Sequence, residues 1–256
     1  MTQAFTGTGD PARSLALLWR TADSVPARGR RPSVSVDAVV TAAVRLADAA
    51  GLPALSMRKL ADDLGVAAMT LYGYVPGKAE LVDLMYDAVL GEMYPQGADG
   101  LGATPRQRLA AVAWENWRLY ERHPWAVHVA SGRPPLGPGL LARYETELRA
   151  LDDAGLPDVE RDVVVTLIGS FTRGLAAAEV ERRQAQAATG ISDSQWWQAT
   201  EPYLSKVFDP ERYPTAARIG EAAGQELQAA VDPARTFARG LELLLNGLAL
   251  RPGGTP

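Results

Sequence analysis

The chain has 256 residues, 47% hydrophobic and 22% charged, the balance of an ordinary globular protein with room for one large helical domain or two unequal ones. It has no cysteine and two histidines, which excludes disulfides, thiolate metal sites and cysteine nucleophiles. The net charge of -4 is uneven: residues 1–80 hold nine Lys/Arg against seven Asp/Glu and the remainder 17 against 23, which suits a basic contact head on an acidic body.

In chain order, the opening MTQAFTGTGDPARSLALLWR lacks the basic-then-apolar order of a signal peptide. No uninterrupted apolar run approaches the roughly 18–20 residues of a membrane span, so a cytoplasmic protein without membrane contact is expected. Arg28, Arg30 and Arg31 stand beside Pro and Gly in ARGRRP, a stretch that cannot build a core. Residues 1–32 read as a basic N-terminal arm that reaches DNA, or as a solvated linker. Val36, Val39, Val40, Ala43, Val44 and Ala47 share one helical face, with Ser35 as N-cap and Gly51 as stop, predicting a helix over 36–50. Ser56 caps the next helix, 57–64, which ends at Gly65. A third, 67–74, must finish near Val75 because Pro76 disfavours helix in the residue before it. A fourth runs from Lys78 or Ala79 to about Met93.

The Gly-rich YPQGADGLGAT (94–104) divides a head, 33–93, from a body, 105–251. Helices are expected there at about 105–123, 140–154, 158–187 and 233–250, with one or two short ones in the Pro-punctuated 188–232. There is no strand alternation and no internal repeat. The fold is predicted to be all-α, a three-helix head carrying a helix-turn-helix plus a larger helical body.

Helices of about eight residues are not stable alone in water, so 57–64 and 67–74 must be held by something. Leu60, Ala61 and Leu64 can meet Leu71 and Val75, with 36–50 completing the core. A tight glycine turn between two helices makes either a helix-turn-helix, whose second helix enters the DNA major groove, or a plain helical corner. Arg58 and Lys59 sit at a helix start, where the dipole disfavours cations. That placement makes sense if the exposed amides and Arg58 converge on a phosphate or base edge; otherwise both are solvated surface residues.

LSMRKLADDLGVAAMTLYGYVPGKAELVDLM closely resembles the DNA-binding domain of the TetR (tetracycline repressor) family. The features carrying the resemblance are the preceding helix, the LGV turn, the TLYxYV recognition helix and the xGK that opens the fourth helix. From LYERHPWAVHVASGRPP through GSFTRGLAAAEVE the body is similar, more weakly, to a tetracycline-repressor-like C-terminal domain. The resemblance implies that Ser56, Met57 and Arg58 face DNA at the start of the second helix. It also implies that Ala67, Ala68, Met69, Thr70, Tyr72 and Tyr74 lie on the recognition helix, and that Lys78 binds phosphate. The sequence departs from the family pattern at Ala67, where a Ser or Thr cap is usual, and at Gly73, which weakens the helix end. Both departures leave base preference open, and Tyr72 can equally be part of the core.

The helix at 158–187 carries small residues, among them Gly174 and Ala178, and the last helix carries Phe237, Leu241, Leu244, Leu245 and Leu248. A stripe that wide exceeds what a lone surface helix needs. As the resemblance implies, these helices pair with their copies in a homodimer; the other reading is that they fill the monomer core. Trp114, Trp117, Trp125 and Phe171, with Trp196 and Trp197 nearby, line a pocket for a small lipophilic or aromatic effector, or form an aromatic core.

By resemblance His128 aligns with a magnesium-ligating histidine, but the partner carboxylate falls on Ala178, and Glu179 is turned about 100° away. No metal and no cofactor is therefore expected, with His128 a hydrogen-bond partner of the effector. An enzyme reading finds no HExxH, GxSxG or phosphate loop, and His123 and His128 flank Pro124 at the wrong spacing for one helical face. The reading that results is a repressor that binds a near-palindromic double-stranded DNA operator and leaves it when the effector moves the fourth helix.

Overall fold

The computed structural model describes residues 4–21, 34–130 and 132–248. The chain divides into two compact units, residues 1–173 with 245–256, and residues 174–244. Among the described residues both are helical, apart from a two-residue parallel pairing of Ala4–Phe5 with Val129–Ala130 in the first.

In the first unit, α1 (Pro11–Leu18) starts on Asp10, whose side chain accepts from the Arg13 amide at 2.8 Å, with Pro11 where a helix needs no amide. Residues 1–32 are thus not an arm throughout. The apolar LALL within the segment buries Leu17 and Leu18, and α1 lies against α5 (Lys78–Gly91). Arg28, Arg30 and Arg31 lie outside the described residues.

α2 (Val36–Ala50) runs from a Ser35 cap to Gly51 and buries Val39, Val40, Ala43 and Ala47, the face its periodicity marks. α3 (Met57–Leu64) and α4 (Ala68–Tyr72) follow. α4 is shorter than the expected 67–74, because Ala67 offers no side-chain cap and the chain tightens into turns at Gly73 and Tyr74 before Pro76.

α5 carries the head and the body packing together. At its middle, Asp87 accepts from the Gly139 and Leu140 amides at 3.1 and 2.8 Å, at the start of α7 (Pro138–Arg149). Those amides have no partner inside their own helix, and the carboxylate suits the positive end of its dipole. Burial still pushes the Asp87 carboxyl above its ordinary value, against the pull of the two amides. A Cβ at Gly139 would lie 2.0 Å from the Asp87 carbonyl oxygen, so the two helices approach this closely only through glycine.

α6 (Pro105–Arg122) opens with a Thr104–Gln107 capping box, and a 3-10 turn, Pro124–His128, follows it. α8 (Asp158–Thr189) starts in this unit and continues into the second. By length and composition it could cross a membrane, with mean hydropathy 1.5 over 18 residues. Its Val164, Val165 and Ile168 are buried in the protein, and the charged Arg173 interrupts the run, as in the core helix of an ordinary domain.

The second unit corrects the expectation of one or two short helices in 188–232. α9 (Asp193–Val207) and α10 (Pro214–Leu227) are 15 and 14 residues long. A Ser192–Gln195 capping box starts α9 and Pro214 opens α10, so the prolines and polar residues that read as breaks are start signals. Pro202 sits inside α9, where its missing amide leaves a carbonyl on a helix that has no buried residue.

α11 (Pro233–Gly247) carries the second correction. Leu241 and Leu245 are 3% and 5% exposed, so they fill the interior of a single chain and cannot form the dimer face assigned to them. Leu244, Leu248 and Ala178 are half-buried, and Gly174 is exposed. The leucine stripe is two-sided, and its outward member is Leu243, at 65% exposed.

Candidate DNA-reading surface and effector cavity

The turn between α3 and α4 is built around Gly65, whose φ of 67° is left-handed and suits glycine. The Val66 amide reaches back to the Ala61 carbonyl at 3.0 Å and closes the helix end. Leu60, Ala61, Leu71 and Val75 are almost wholly buried, which fixes the angle of α4 against α3. Ser56 caps α3 through the Lys59 amide at 3.2 Å and stays exposed beside Arg58 and Lys59. Neither cation has an ion pair among the described residues. Ala67, Met69 and Tyr72 are exposed, with Met69 at 79%, and Ala68, Thr70 and Tyr74 are half-buried beside them.

One assigned contact is not where the resemblance implied, and a second has another task as well. Met57 is buried, because it faces inward from the first turn of α3, and it cannot meet DNA from there. Lys78 donates from Nζ to the carbonyls of Leu52 and Leu55 at 3.2 and 2.9 Å. Its ammonium thus ties the turn before α3 to the start of α5. Only the remaining donor of the three is open to a phosphate.

The body holds a cavity of about 220 Å³ within the first unit. Tyr86, Tyr120, Arg143, Tyr144, Glu147 and Arg173 are among the residues lining it. Behind the wall Glu147, 2% exposed, accepts at Oε1 from Tyr94 Oη, Asn116 Nδ2 and Arg143 Nε at 2.8, 2.8 and 2.9 Å. Arg143 Nη2 also donates to Asn116 Oδ1 at 2.9 Å. Burial works against the Arg143 charge, but Glu147 outweighs it and keeps the guanidinium protonated. Burial likewise raises the Tyr120 hydroxyl, so it faces the cavity as a neutral donor.

Arg173 connects the cavity wall to the turn after α6, donating from Nη2 to the Val127 and Val129 carbonyls at 3.1 and 2.8 Å. The same turn is fastened to the head. Trp125 Nε1 donates to Asp48 Oδ1 of α2 at 2.7 Å, and His123 Nδ1 lies 2.8 Å from that oxygen. His123 Nε2 lies 3.1 Å from Glu92 Oε2, just past α5. Cavity wall, turn, α2 and the end of α5 therefore form one continuous chain of hydrogen bonds.

The tryptophans chosen from the sequence do not surround this cavity. Trp117 and Trp125 are buried, with Trp125 committed to Asp48; Trp114 is 38% exposed and Phe171 half-buried. His128 is half-buried, and its Nε2 is enclosed without a hydrogen-bond partner among the described residues, as is Thr172 Oγ1. In the second unit, Trp197 packs against Gly224, Trp196 is 49% exposed, and Glu179 gives its carboxylate to Arg182 and Arg183. The hydrogen bond from Arg182, more than any other contact, holds the Glu179 carboxyl below its usual range.

Sequence reasoning missed the cavity residues on α7. Arg143 and Glu147 stand four apart, on one helical face, but such a pair normally marks a solvated surface. Spacing alone gave no sign that this face turns inward.

Two short helices around a glycine turn, with cations that have no ion pair among the described residues and an exposed Met69–Tyr72 surface, define a helix-turn-helix DNA-binding regulator. Residues 39–85 match the bacterial regulatory proteins of the tetR family, and residues 99–251 match the tetracyclin repressor-like C-terminal domain. The chain belongs to the TetR family of transcriptional regulators. It is 40% identical over 243 residues to the HTH-type transcriptional repressor DrrR1 of Streptomyces coeruleorubidus, covering 94% of this chain and 87% of that protein. Apo ActR from Streptomyces coelicolor superposes with a TM-score of 0.68 at 27% identity, over 86% of this chain and 97% of ActR. The ActR complex with actinorhodin gives 0.68 at 25% identity, over 84% and 96%.

Proposed function

We propose that this protein is a ligand-released repressor that acts in the cytoplasm as a homodimer on a near-palindromic operator. In this reading a head over residues 33–93 contacts DNA and a body over 105–251 binds the ligand and the second subunit. Arg58 reads a base edge, because α4 carries no Arg, Lys, Asn or Gln. Ser56, Ala67, Ala68, Met69, Thr70, Tyr72 and Tyr74 complete the surface, and Arg28, Arg30 and Arg31 add phosphate contacts. The homodimer face is the outward side of α8, where Val159, Val163 and Leu167 are 74%, 50% and 41% exposed at four-residue spacing. Gly174 follows on the same side of this helix, and a Cβ there would meet no neighbouring element within 4 Å among the described residues, leaving room for a second backbone.

The effector of this reading is a flat aromatic compound bearing phenol, carbonyl or carboxylate oxygens. The observation that carries it is the tyrosine-and-arginine cavity, whose Arg173 also holds the turn fastened to Asp48. Tyrosine rings suit a planar ring system, and tyrosine and arginine donors suit its oxygens. This is more polar than the lipophilic effector the tryptophans suggested, and it accords with ActR having been crystallised with actinorhodin. A ligand pulling on Arg173 shifts the 124–128 turn, and with it α2 and the end of α5, so that two heads no longer fit successive major grooves.

Fluorescence anisotropy of labelled upstream DNA tests this reading. Aromatic acids and phenols should release the protein at micromolar concentration, and Arg173→Met should weaken release at least tenfold without changing DNA affinity. Magnesium-dependent release by tetracycline would instead point to a metal site at His128.

A further inference from the structure

A second, partly open space lies away from this cavity, beneath the N-terminal segment. It is a cleft of about 240 Å³, walled by Pro11, Leu15 and Leu18 of α1 and by Pro135 and Leu136 of the loop before α7. Two buried polar groups interrupt these walls. Ser14 is 9% exposed and its Oγ has no hydrogen-bond partner among the described residues. Asp83 of α5 is 1% exposed; one oxygen accepts from the Gly7 amide at 3.0 Å, and the other has no partner among the described residues.

The backbone is shaped to enclose this place. Gly7 has φ 65°, and a Cβ on it would come within 2.9 Å of Arg133 Cβ. A Cβ on Gly9 would sit 2.6 Å from Glu80 Oε1. The N-terminal segment passes this close to the 133–136 loop because position 7 is glycine, whereas at Gly9 the Glu80 side chain could swing aside. Trp19 Nε1 donates to the Leu136 carbonyl at 3.1 Å, and Arg20 pairs with Asp37 of α2 at 2.6 Å. A molecule in the cleft would thus touch both α5 and the helix tied to the head.

We propose that this cleft is a second ligand site, taking a compact, mostly apolar primary amine whose ammonium meets Asp83. A buried carboxylate served by a single amide lacks a charge partner, and a cation within about 4–6 Å supplies one. Arg133 at the mouth makes no ion pair with it among the described residues, while Glu80 adds a second negative charge nearby. Apolar walls accept a ring or short aliphatic body, and Ser14 offers a hydroxyl that no group among the described residues uses.

The test uses the full-length protein and the indole N–H signal of Trp19, assigned by its loss in Trp19→Phe. Benzylamine, benzyl alcohol and benzoate are titrated in turn. Benzylamine should move the Trp19 signal, benzyl alcohol should move it at higher concentration, and benzoate should leave it in place. Asp83→Asn keeps an acceptor for Gly7 but loses the charge, so it should weaken benzylamine at least about tenfold and benzyl alcohol by less than about twofold. Leu15→Trp, at the exposed rim, should fill the cleft and abolish both shifts. The proposal is overturned if benzylamine moves nothing, if benzoate binds as well, or if Asp83→Asn binds benzylamine unchanged. Should Leu15→Trp fail to fold, the Asp83→Asn comparison decides alone.

Discussion

The reading head and the wall of the body cavity solve opposite problems with side chains of the same types. In the head, the apolar Leu60, Leu71 and Val75 are fully buried and the cations Arg58 and Lys59 stand at the surface with no ion pair among the described residues. In the body, Arg143 is turned inward and neutralised by Glu147 under a shell of Tyr94 and Asn116. A solvated cation costs little and is free to find phosphate. A buried one must be matched in advance, and it then fixes the shape of what surrounds it. The head is thus stabilised by burial and ready for charge, whereas the body is stabilised by satisfied charge and ready for a polar ligand.

The sharpest way to break that comparison is to unmatch the body. Glu147→Ala leaves Arg143 buried without its partner and should cost about 3–5 kcal/mol in urea unfolding, with much recovered by adding Arg143→Met. A loss below about 1 kcal/mol would mean that water already reaches the pair. In the head the matching test is Leu71→Ala, which opens a cavity in a core with no polar support and should cost about 2–5 kcal/mol. DNA binding should fall with stability there, and amide exchange should report opening confined to α2–α4.

Next in size is Asp48→Asn, which replaces the carboxylate that receives Trp125 and faces His123. It should cost about 1–3 kcal/mol of stability and weaken the response of DNA affinity to any effector, read as the ratio of affinities with and without ligand. An unchanged ratio would show that the 124–128 turn does not carry the signal.

The smallest expected effect has the opposite sign. Burial raises the Asp83 carboxyl above its ordinary value, with the Gly7 amide opposing and Glu80 adding to the rise. A raised carboxyl favours the fold fully below the unfolded value of about 3.9, and that contribution is lost as pH rises through the folded value. Asp83→Asn should therefore raise Tm near pH 7, with the gain shrinking to nothing towards pH 4. A Tm below wild type at pH 7 would mean that the carboxylate has an unrecognised partner.

How much of this was legible from the sequence differs between the two regions for the same physical reason. α2, α3 and the Gly65 turn are set by local signals, namely Ser35 and Ser56 as caps and apolar residues at helical spacing, and all stand where those signals put them. The recognition surface was assigned by resemblance and not by pattern, and Met57 was misplaced with it because it lies at the edge of the apolar face of α3. Lys78 was assigned by resemblance, and no pattern could tell that two carbonyls would take its ammonium. In the body, Leu241 and Leu245 were given to a dimer because a wide stripe does not say which side faces inward. The cavity was missed because Tyr86, Tyr120, Arg143 and Arg173 come from α5, α6, α7 and α8 and are joined only by the fold.

The central claim, that α3 and α4 form a DNA-reading surface in which Arg58 supplies the base-specific charge, is tested most directly by one titration. Binding to the DNA upstream of the gene is measured over a range of salt concentrations for the wild type, Arg58→Ala and Lys78→Ala, against operator variants changed one base pair at a time. The expected result is steep salt dependence for the wild type, and for Arg58→Ala a loss of about 1–3 kcal/mol with relaxed preference at a single base pair. Lys78→Ala should weaken every sequence alike. If Arg58→Ala also loses affinity evenly across all variants, or if the wild type shows no salt-dependent binding, the assignment of the reading surface is wrong.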